Sequence, residues 1–246
     1  MKTPATFRQI TLFLCILLGC ANMALADTEL ADTDNIRMLD FVIMSHGHGI
    51  SDRNIYDDKM LRIAKNHNMT IERSFNVKKF IMGDELLAGV IRINVWHMPK
   101  GALKNLSEDA DYQSLIEFRN SIHDMAALSI FFAEPDSIGG TAGHTILADL
   151  VVMAPDFDVN DRQQYENSVA PITQRYGMTR FASYDITKKL RGVAPEHAVR
   201  LNFWNLENPE NMKLVGQDPD YKALVSYRNK IHDMAKVTLF FASENK

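Results

Sequence analysis

An octapeptide, Arg-Asn-Ser-Ile-His-Asp-Met-Ala at residues 119–126, returns as Arg-Asn-Lys-Ile-His-Asp-Met-Ala at residues 228–235, with seven of eight positions identical at an offset of 109. At the same offset Asp40 meets Asp149, Met44 meets Met153, Arg53 meets Arg162, Tyr56 meets Tyr165, and Met69-Thr70 meets Met178-Thr179. Asp111-Tyr112 and Phe131-Phe132-Ala133 likewise meet Asp220-Tyr221 and Phe240-Phe241-Ala242. Arg92-x-Asn94-x-Trp96 matches Arg200-x-Asn202-x-Trp204 at offset 108, so the preceding loops differ by one residue. Matches that keep their order along the chain indicate a tandem duplication. The 246 residues therefore divide into one unit of about 100 residues used twice. The units are residues 39–133 and 147–243. Between them, residues 134–146 read as a linker, because Pro135, Gly139, Gly140 and Gly143 are turn chemistry without an apolar period.

Within a unit the elements follow from period. Short apolar runs at 39–44 and 147–153 read as strands, and 53–68 and 161–176 carry apolar residues at helical spacing. Residues 70–77 and 179–186, then 90–96 and 198–204, read as strands, followed by helices at 110–126 and 219–235 and strands at 128–133 and 237–242. The order β-α-β-β-α-β is the split βαβ arrangement, with an antiparallel sheet and both helices on one face. The expected fold is α+β, two ferredoxin-like units packed sheet to sheet as a pseudo-barrel with the helices outside.

Composition bounds the function. Forty-six per cent apolar and 24% charged residues describe a chain with a real core, and a net charge of −4 argues against a nucleic-acid binder, whose face must neutralise phosphates. The N-terminal stretch carries Lys2 and Arg8 and no acid, then an apolar run at 10–18 too short to span a bilayer, then small residues, which is the pattern of a bacterial export signal. Ala24-Leu25-Ala26 is a signal-peptidase site, leaving residues 27–38 as an N-terminal tail; Leu17-Leu18-Gly19-Cys20 is the competing lipobox reading. Cleavage after Ala26 is preferred, since leucine before Gly19 is weak for a lipobox. That cut removes Cys15 and Cys20, the only cysteines, and takes the charge from −4 to −6. The expected location is then periplasmic or secreted, with membrane attachment only if Cys20 is lipidated.

Gln217-Asp218-Pro219-Asp220-Tyr221-Lys222-Ala223-Leu224 entering a helix, the strand at 237–242, Tyr165 and Ile172-x-x-Arg175-Tyr176-Gly177 together resemble a family of unassigned activity within the dimeric α/β-barrel superfamily. The resemblance covers nearly all of the second unit and the first more loosely, where His67-Asn68 stands in place of Tyr176-Gly177. Members of that family carry one unit and pair, so the resemblance implies an intramolecular pseudo-dimer in a monomeric chain. The wider superfamily includes cofactor-free monooxygenases, isomerases and haem-binding enzymes; a shared fold carries none of these activities over.

Strand alternation puts Ile91, Ile93 and Val95 on one face and Arg92, Asn94 and Trp96 on the other, and repeats this with Val199, Leu201 and Phe203 against Arg200, Asn202 and Trp204. The aliphatic face is expected against the helices. The Arg-Asn-Trp face, joined by Asp40 and Asp149, then looks between the sheets. Guanidinium, amide and indole groups there suit a small anionic or aromatic ligand, with cofactor-independent chemistry on it as an extension. The structural alternative is that Arg92 and Arg200 pair with Asp40 and Asp149 and merely join the sheets. No cofactor and no metal centre is called for by a complete motif. His46-Gly47-His48-Gly49 is a weaker alternative site for metal or haem, because two histidines alone fall short of the three or four ligands zinc takes. A further alternative is a non-catalytic envelope module read by a protein partner at Asn120, Asp124, Asn229 and Asp233. In the repeated octapeptide, His123 and Asp124 diverge by about 100° on a helix and cannot form a catalytic dyad.

Overall fold

The structure is a computed structural model that describes residues 35–245. The expected export segment, its two candidate cleavage sites and most of the expected N-terminal tail lie outside the described residues. Eight strands and six α-helices follow one another in the order β1 (Asn35–Ile43), α1 (Ile50–Asn66), β2 (Thr70–Met82), β3 (Val90–Pro99), α2 (Ala102–Glu108), α3 (Ala110–Ile122), β4 (Ser129–Gly139), β5 (Thr145–Val152), α4 (Val159–Arg175), β6 (Met178–Arg191), β7 (Ala198–Leu206), α5 (Asn211–Gln217), α6 (Pro219–Ile231) and β8 (Thr238–Glu244). None of these helices is long and apolar enough to cross a membrane.

Helix starts are written in the sequence. Asp109 accepts hydrogen bonds from the backbone N–H of Asp111 at 2.8 Å and Tyr112 at 3.0 Å, opening α3. Asp218 does the same for α6 from Asp220 at 2.8 Å and Tyr221 at 3.2 Å, with Pro219 preset for the first turn. The two seven-residue helices α2 and α5 escape the sequence reading, because two turns are too few to display a period. Helices α3 and α6 stop at Ile122 and Ile231, four residues before the expected ends, because Asp124 and Asp233 turn the chain. Asp124 Oδ1 accepts from the backbone of Ala126 and Ala127 at 3.1 Å, and Asp233 Oδ1 from Ala235 at 3.2 Å.

All strands belong to one closed antiparallel barrel, ordered β1-β3-β2-β8-β5-β7-β6-β4. The halves therefore meet edge to edge. Strand β2 pairs with β8, as in Val77 with Ala242, and β4 pairs with β6, as in Ala133 with Ile186. This hydrogen-bonded closure replaces the expected face-to-face packing and leaves no unpaired sheet edge among the described residues. Strand β4 also runs on through Glu134 and Pro135 to Gly139, pairing with Asp185, Tyr184 and Ala182, so half of the expected linker is barrel wall. Strand β1 begins at Asn35, within the expected tail.

The barrel interior is filled from both halves by Leu39, Phe41, Phe75, Ile93, Val95 and Phe131 with Ala148, Leu150, Leu201, Phe203 and Phe240. Phe75 and Phe203 stack across it with ring centres 4.2 Å apart. This corrects the expected orientation of the sheet: the aliphatic face fills the barrel, and the Arg-Asn-Trp face looks outward beneath the helices. The physical reason is closure. A closed eight-stranded interior has room only for side chains packed on one another, and it excludes water and charge. The face grouping itself is as read, since Trp96, Asn94 and Arg92 stand opposite Met38, Asp40 and Val42 in the β1–β3 ladder.

Candidate functional site

The layer between sheet and helices exists twice, once in each half, and the two copies differ. In the first half it is solid. Met38, Tyr56, Met60, Ile63, Met69, Trp96, Met98, Leu106, Tyr112 and Leu115 pack into one apolar cluster. Its charged groups are paired: Arg53 donates to Asp40 at 3.3 Å, its Nε lies 2.8 Å from Asp57 Oδ1 as an ion pair, and its Nη1 donates to His123 Nε2 at 3.0 Å. Arg92 donates to Asp57, to Asn54 at 2.7 Å and to Asn76 at 3.0 Å. Asn94 donates to Asp40 at 3.2 Å and accepts from Ser74 at 2.8 Å.

The second half holds a cavity of about 360 Å³ in the equivalent layer. Its apolar walls include Leu147, Val151, Val169, Met178, Trp204, Val215 and Val237, and Asp149, Tyr165, Glu166, Tyr221, Arg228 and His232 bring polar groups to it. The opening follows from the residues. Where the first half has Met38, Met60, Leu106, Ser107 and Leu128, the second has Leu147, Val169, Val215, Gly216 and Val237 at the same offset. The exchanges at Val169, Val215, Gly216 and Val237 remove side-chain volume from one spot, while Leu147 for Met38 conserves it, and a packed interior relaxes only partly around such losses.

Asp149 shows the electrostatic consequence. Arg162, the counterpart of Arg53, turns away to donate to Asp185 at 2.6 Å. Asp149 is left accepting from Asn202 Nδ2 at 3.3 Å, with the Trp204 indole beside it and no arginine in ion-pair contact, although the Arg180 charge is near enough to act on it. Burial disfavours its charge and the Glu166 charge adds to this, while Asn202, Trp204 and the Arg180 charge only partly oppose it, so its carboxyl is pushed up to about 6. In the first half the indole nitrogen of Trp96 has no partner at all.

The other polar groups are held by the repeated octapeptide. His232 caps α6, and its Nδ1 lies 3.0 Å from the carbonyl oxygen of Arg228. A carbonyl can only accept, so the proton is on Nδ1 and the lone pair is on Nε2. Burial pulls its pKa below the ordinary imidazole value. Arg228 Nη1 donates to the Tyr221 hydroxyl at 2.5 Å, and burial, with Tyr221 beside it, raises the Tyr165 pKa. The Tyr221 oxygen thus accepts from the guanidinium, and its own O–H can donate.

Of the residues marked by the sequence, Asp149, Asn202 and Trp204 line this cavity, while Asp40, Arg92, Asn94 and Trp96 form its closed counterpart. Arg200 is buried beside the cavity and binds Asp136 and Asp185, the latter at 2.9 Å, with Glu166 at 3.5 Å. The expected pairs Arg92 with Asp40 and Arg200 with Asp149 do not form, because acids from the first helix of each half and from strands β4 and β6 reach the guanidinium groups first. Tyr165, Glu166, Tyr221, Arg228 and His232 were not marked. The signal that finds them is the size difference between the copies.

The alternatives lie elsewhere. His46 and His48 are exposed on the loop after β1, with His48 3.3 Å from Asp52, and among the described residues no three His, Cys, Asp or Glu side chains converge as a metal site. Haem fits neither place: His46 and His48 are exposed outside the cavity, and in the cavity, which has one histidine, Arg228 is committed to Tyr221 and Asn229, and Arg180 and Arg200 beside it to Glu166, so no cation in its wall is left for propionates. Asn120 and Asn229 each bind the arginine preceding them, and Asp124 and Asp233 hold turns, so this set is occupied internally.

No known family profile and no curated protein matches the chain. Solved structures do. An anthrone oxidase-like protein superposes with a TM-score of 0.54 at 12% identity, over 87% of this chain and 93% of its own. Chlorite dismutase from Candidatus Nitrospira defluvii, in complex with imidazole, gives 0.50 at 9% identity, over 86% and 92%. At such identities the likeness establishes the shared dimeric α/β-barrel fold and nothing about chemistry.

Proposed function

We propose that the chain is an exported, duplicated α/β barrel of two ferredoxin-like units whose second unit binds a small, mainly apolar organic molecule with one ionisable oxygen, and exchanges a proton with it. The carrying observation is the loss of an arginine partner by Asp149 in a layer that has opened a cavity of about 360 Å³, within the range of about 300–1,000 Å³ usual for organic ligands. Position moves from the space between the sheets to the space between sheet and helices.

The chemistry assigned is general acid–base catalysis without a cofactor. A carboxylate with a pKa near 6 is mostly ionised at neutral pH yet still basic enough to take a proton efficiently. Tyr221, oriented by Arg228, donates a hydrogen bond to the oxygen on which negative charge develops. The apolar walls exclude water and favour a phenol or an aromatic ketone over a sugar or phosphate. The solved neighbours' names speak of oxidase-like and dismutase chemistry, and those reactions are not assigned to this chain.

The chain has two tryptophans, so Trp96→Phe leaves Trp204, in the cavity wall, as the only indole reporter. Titration of that variant with phenols and aromatic ketones is expected to give saturable Trp204 quenching, weakened at least tenfold by Asp149→Asn or Tyr221→Phe. Absence of quenching by every member of the panel would overturn the reading.

A further inference from the structure

The cavity of the second half is not built by that half alone. Met82, the last residue of β2, lines it, standing opposite Leu239 in the β2–β8 ladder. At the offset of 109 its counterpart is Arg191, the last residue of β6, which stands opposite Ile130 in the β4–β6 ladder. Each half thus sends one side chain across the barrel seam into the other half's layer.

The two side chains do different things there. Arg191 donates to the carbonyl oxygen of Met125 and lies close enough to Arg119, Tyr112 and Asp40 for their charges to bear on it. Those residues are the first-half counterparts of Met234, Arg228, Tyr221 and Asp149, all of which line the second-half cavity. Arg191 therefore stands in the place that is open in the second half. Met82 leaves that place open and is itself 39% exposed, at the border between cavity and solvent.

Neither crossing residue is free to drift. Gly83 follows Met82 at φ +121°, and Gly192 follows Arg191 at φ +95°. A Cβ at Gly83 would lie 2.4 Å from the Val237 carbonyl oxygen, and one at Gly192 2.1 Å from that of Leu128. Asp84 then accepts from Lys236 at 2.8 Å, and its N–H donates to Thr238 Oγ1 at 3.1 Å. On the other side the Ala194 N–H donates to Ser129 Oγ at 2.9 Å.

We infer that Met82 is the specificity-determining residue at the mouth of the second-half site, contributed in trans by the first half, and that Arg191 is the same device set to closed. The inference rests on the cavity being the ligand site. A thioether at this border sets the size of ligand admitted while adding no charge, which suits the mainly apolar ligand class proposed above. An arginine at the same point fills the layer and presents a cation to it.

The test uses the full chain and two probes, phenol and the larger 2-naphthol, with affinities read by calorimetry and folding checked by thermal denaturation. Met82→Arg is expected to weaken both probes at least tenfold. Met82→Ala, which enlarges the mouth, is expected to shift the affinity ratio toward 2-naphthol by fivefold or more, and Met82→Leu to leave it within twofold. If the parent protein binds neither probe, the ligand-site reading itself fails, and this inference with it. If the parent binds both and the Arg and Ala variants leave the affinities within twofold, Met82 is no determinant and the site reading stands without it. The Ala variant keeps the test decisive should the Arg variant not fold.

Discussion

Asp40 and Asp149 occupy one position in the two halves and have opposite electrostatic surroundings: Arg53 reaches Asp40 at 3.3 Å, whereas the matching Arg162 spends its charge on Asp185 at 2.6 Å. Asp149 therefore titrates as a buried acid, pushed up to about 6 from an ordinary 3.8. A raised carboxyl pKa means the folded state holds the proton more tightly than the unfolded chain. The stabilisation it gives is complete below about pH 4 and is lost as pH rises through 6. Two units correspond to at most roughly 3 kcal/mol, less where water in the cavity screens the charge. The histidines act in the opposite sense, because burial and the Arg53 charge pull His123 down to about 4, so acid destabilises the fold through it. The quantity to measure is thus a difference: urea midpoints of the parent and Asp149→Asn between pH 4 and 7. The Asn variant is expected to gain relative stability with rising pH, and a constant difference would show that Asp149 is not shifted.

The same comparison predicts the cost of removing Arg53. It is buried, bridges Asp40 and Asp57, and donates to His123. Arg53→Ala strands two buried acids, for which losses of about 3–5 kcal/mol are typical. Chemical denaturation should show that loss, and Arg162→Ala a smaller one, because its partner Asp185 is 43% exposed in its side chain and water can take over its solvation.

Filling the cavity should separate stability from binding. Val169→Met installs the residue that the first half carries at this position, Met60. Added buried methylene-sized groups contribute about 0.8 kcal/mol each where space exists. Thermal unfolding is expected at a higher temperature than in the parent, while Trp204 quenching by phenols is lost. A variant that is destabilised instead would show the cavity to be smaller than its 360 Å³.

Much of this was legible in the residues. The offset of 109 pairs the positions compared above, and the period-two pattern of Arg92, Asn94 and Trp96 puts them on one face, opposite Met38, Asp40 and Val42 in the β1–β3 ladder. Which face turns inward was not legible, because strand alternation has no sign: it separates Ile93 and Val95 from Asn94 without saying which side the helices cover. Barrel closure through β2–β8 and β4–β6 supplied that sign, and it depends on pairings between residues more than 50 apart in sequence, as for Ala133 with Ile186. Ion-pair partners were misread for a related reason. Asp57 and Glu166 are ordinary exposed-helix acids by composition, and only the packing of α1 and α4 on the sheet brings them to Arg92 and Arg200. The cavity was written in the size differences between the copies, at Val169 against Met60 and Val215 against Leu106, but a search for identity between repeats passes over such differences.

The seam turns offer a last prediction, about how the two halves are held in register. Gly192 lies at φ +95° with the Leu128 carbonyl oxygen and Ser129 against its α-carbon, so Gly192→Ala meets both a backbone clash and a disfavoured dihedral. Gly101 has a similar dihedral, φ +84°, with open space where a Cβ would go, so Gly101→Ala carries the dihedral cost alone. A left-handed non-glycine residue costs on the order of 1–3 kcal/mol. The Gly101 variant should lose about that much and the Gly192 variant clearly more, read by urea denaturation under the same conditions. Because Gly192 positions Arg191, its alanine variant should also loosen the first-half layer, seen as faster hydrogen exchange at the backbone of Met125 and Ala127 than at Met234. Equal losses in the two variants would mean that the chain relaxes around the new methyl group, and that the close approach of β6 to Leu128 is not what fixes the seam.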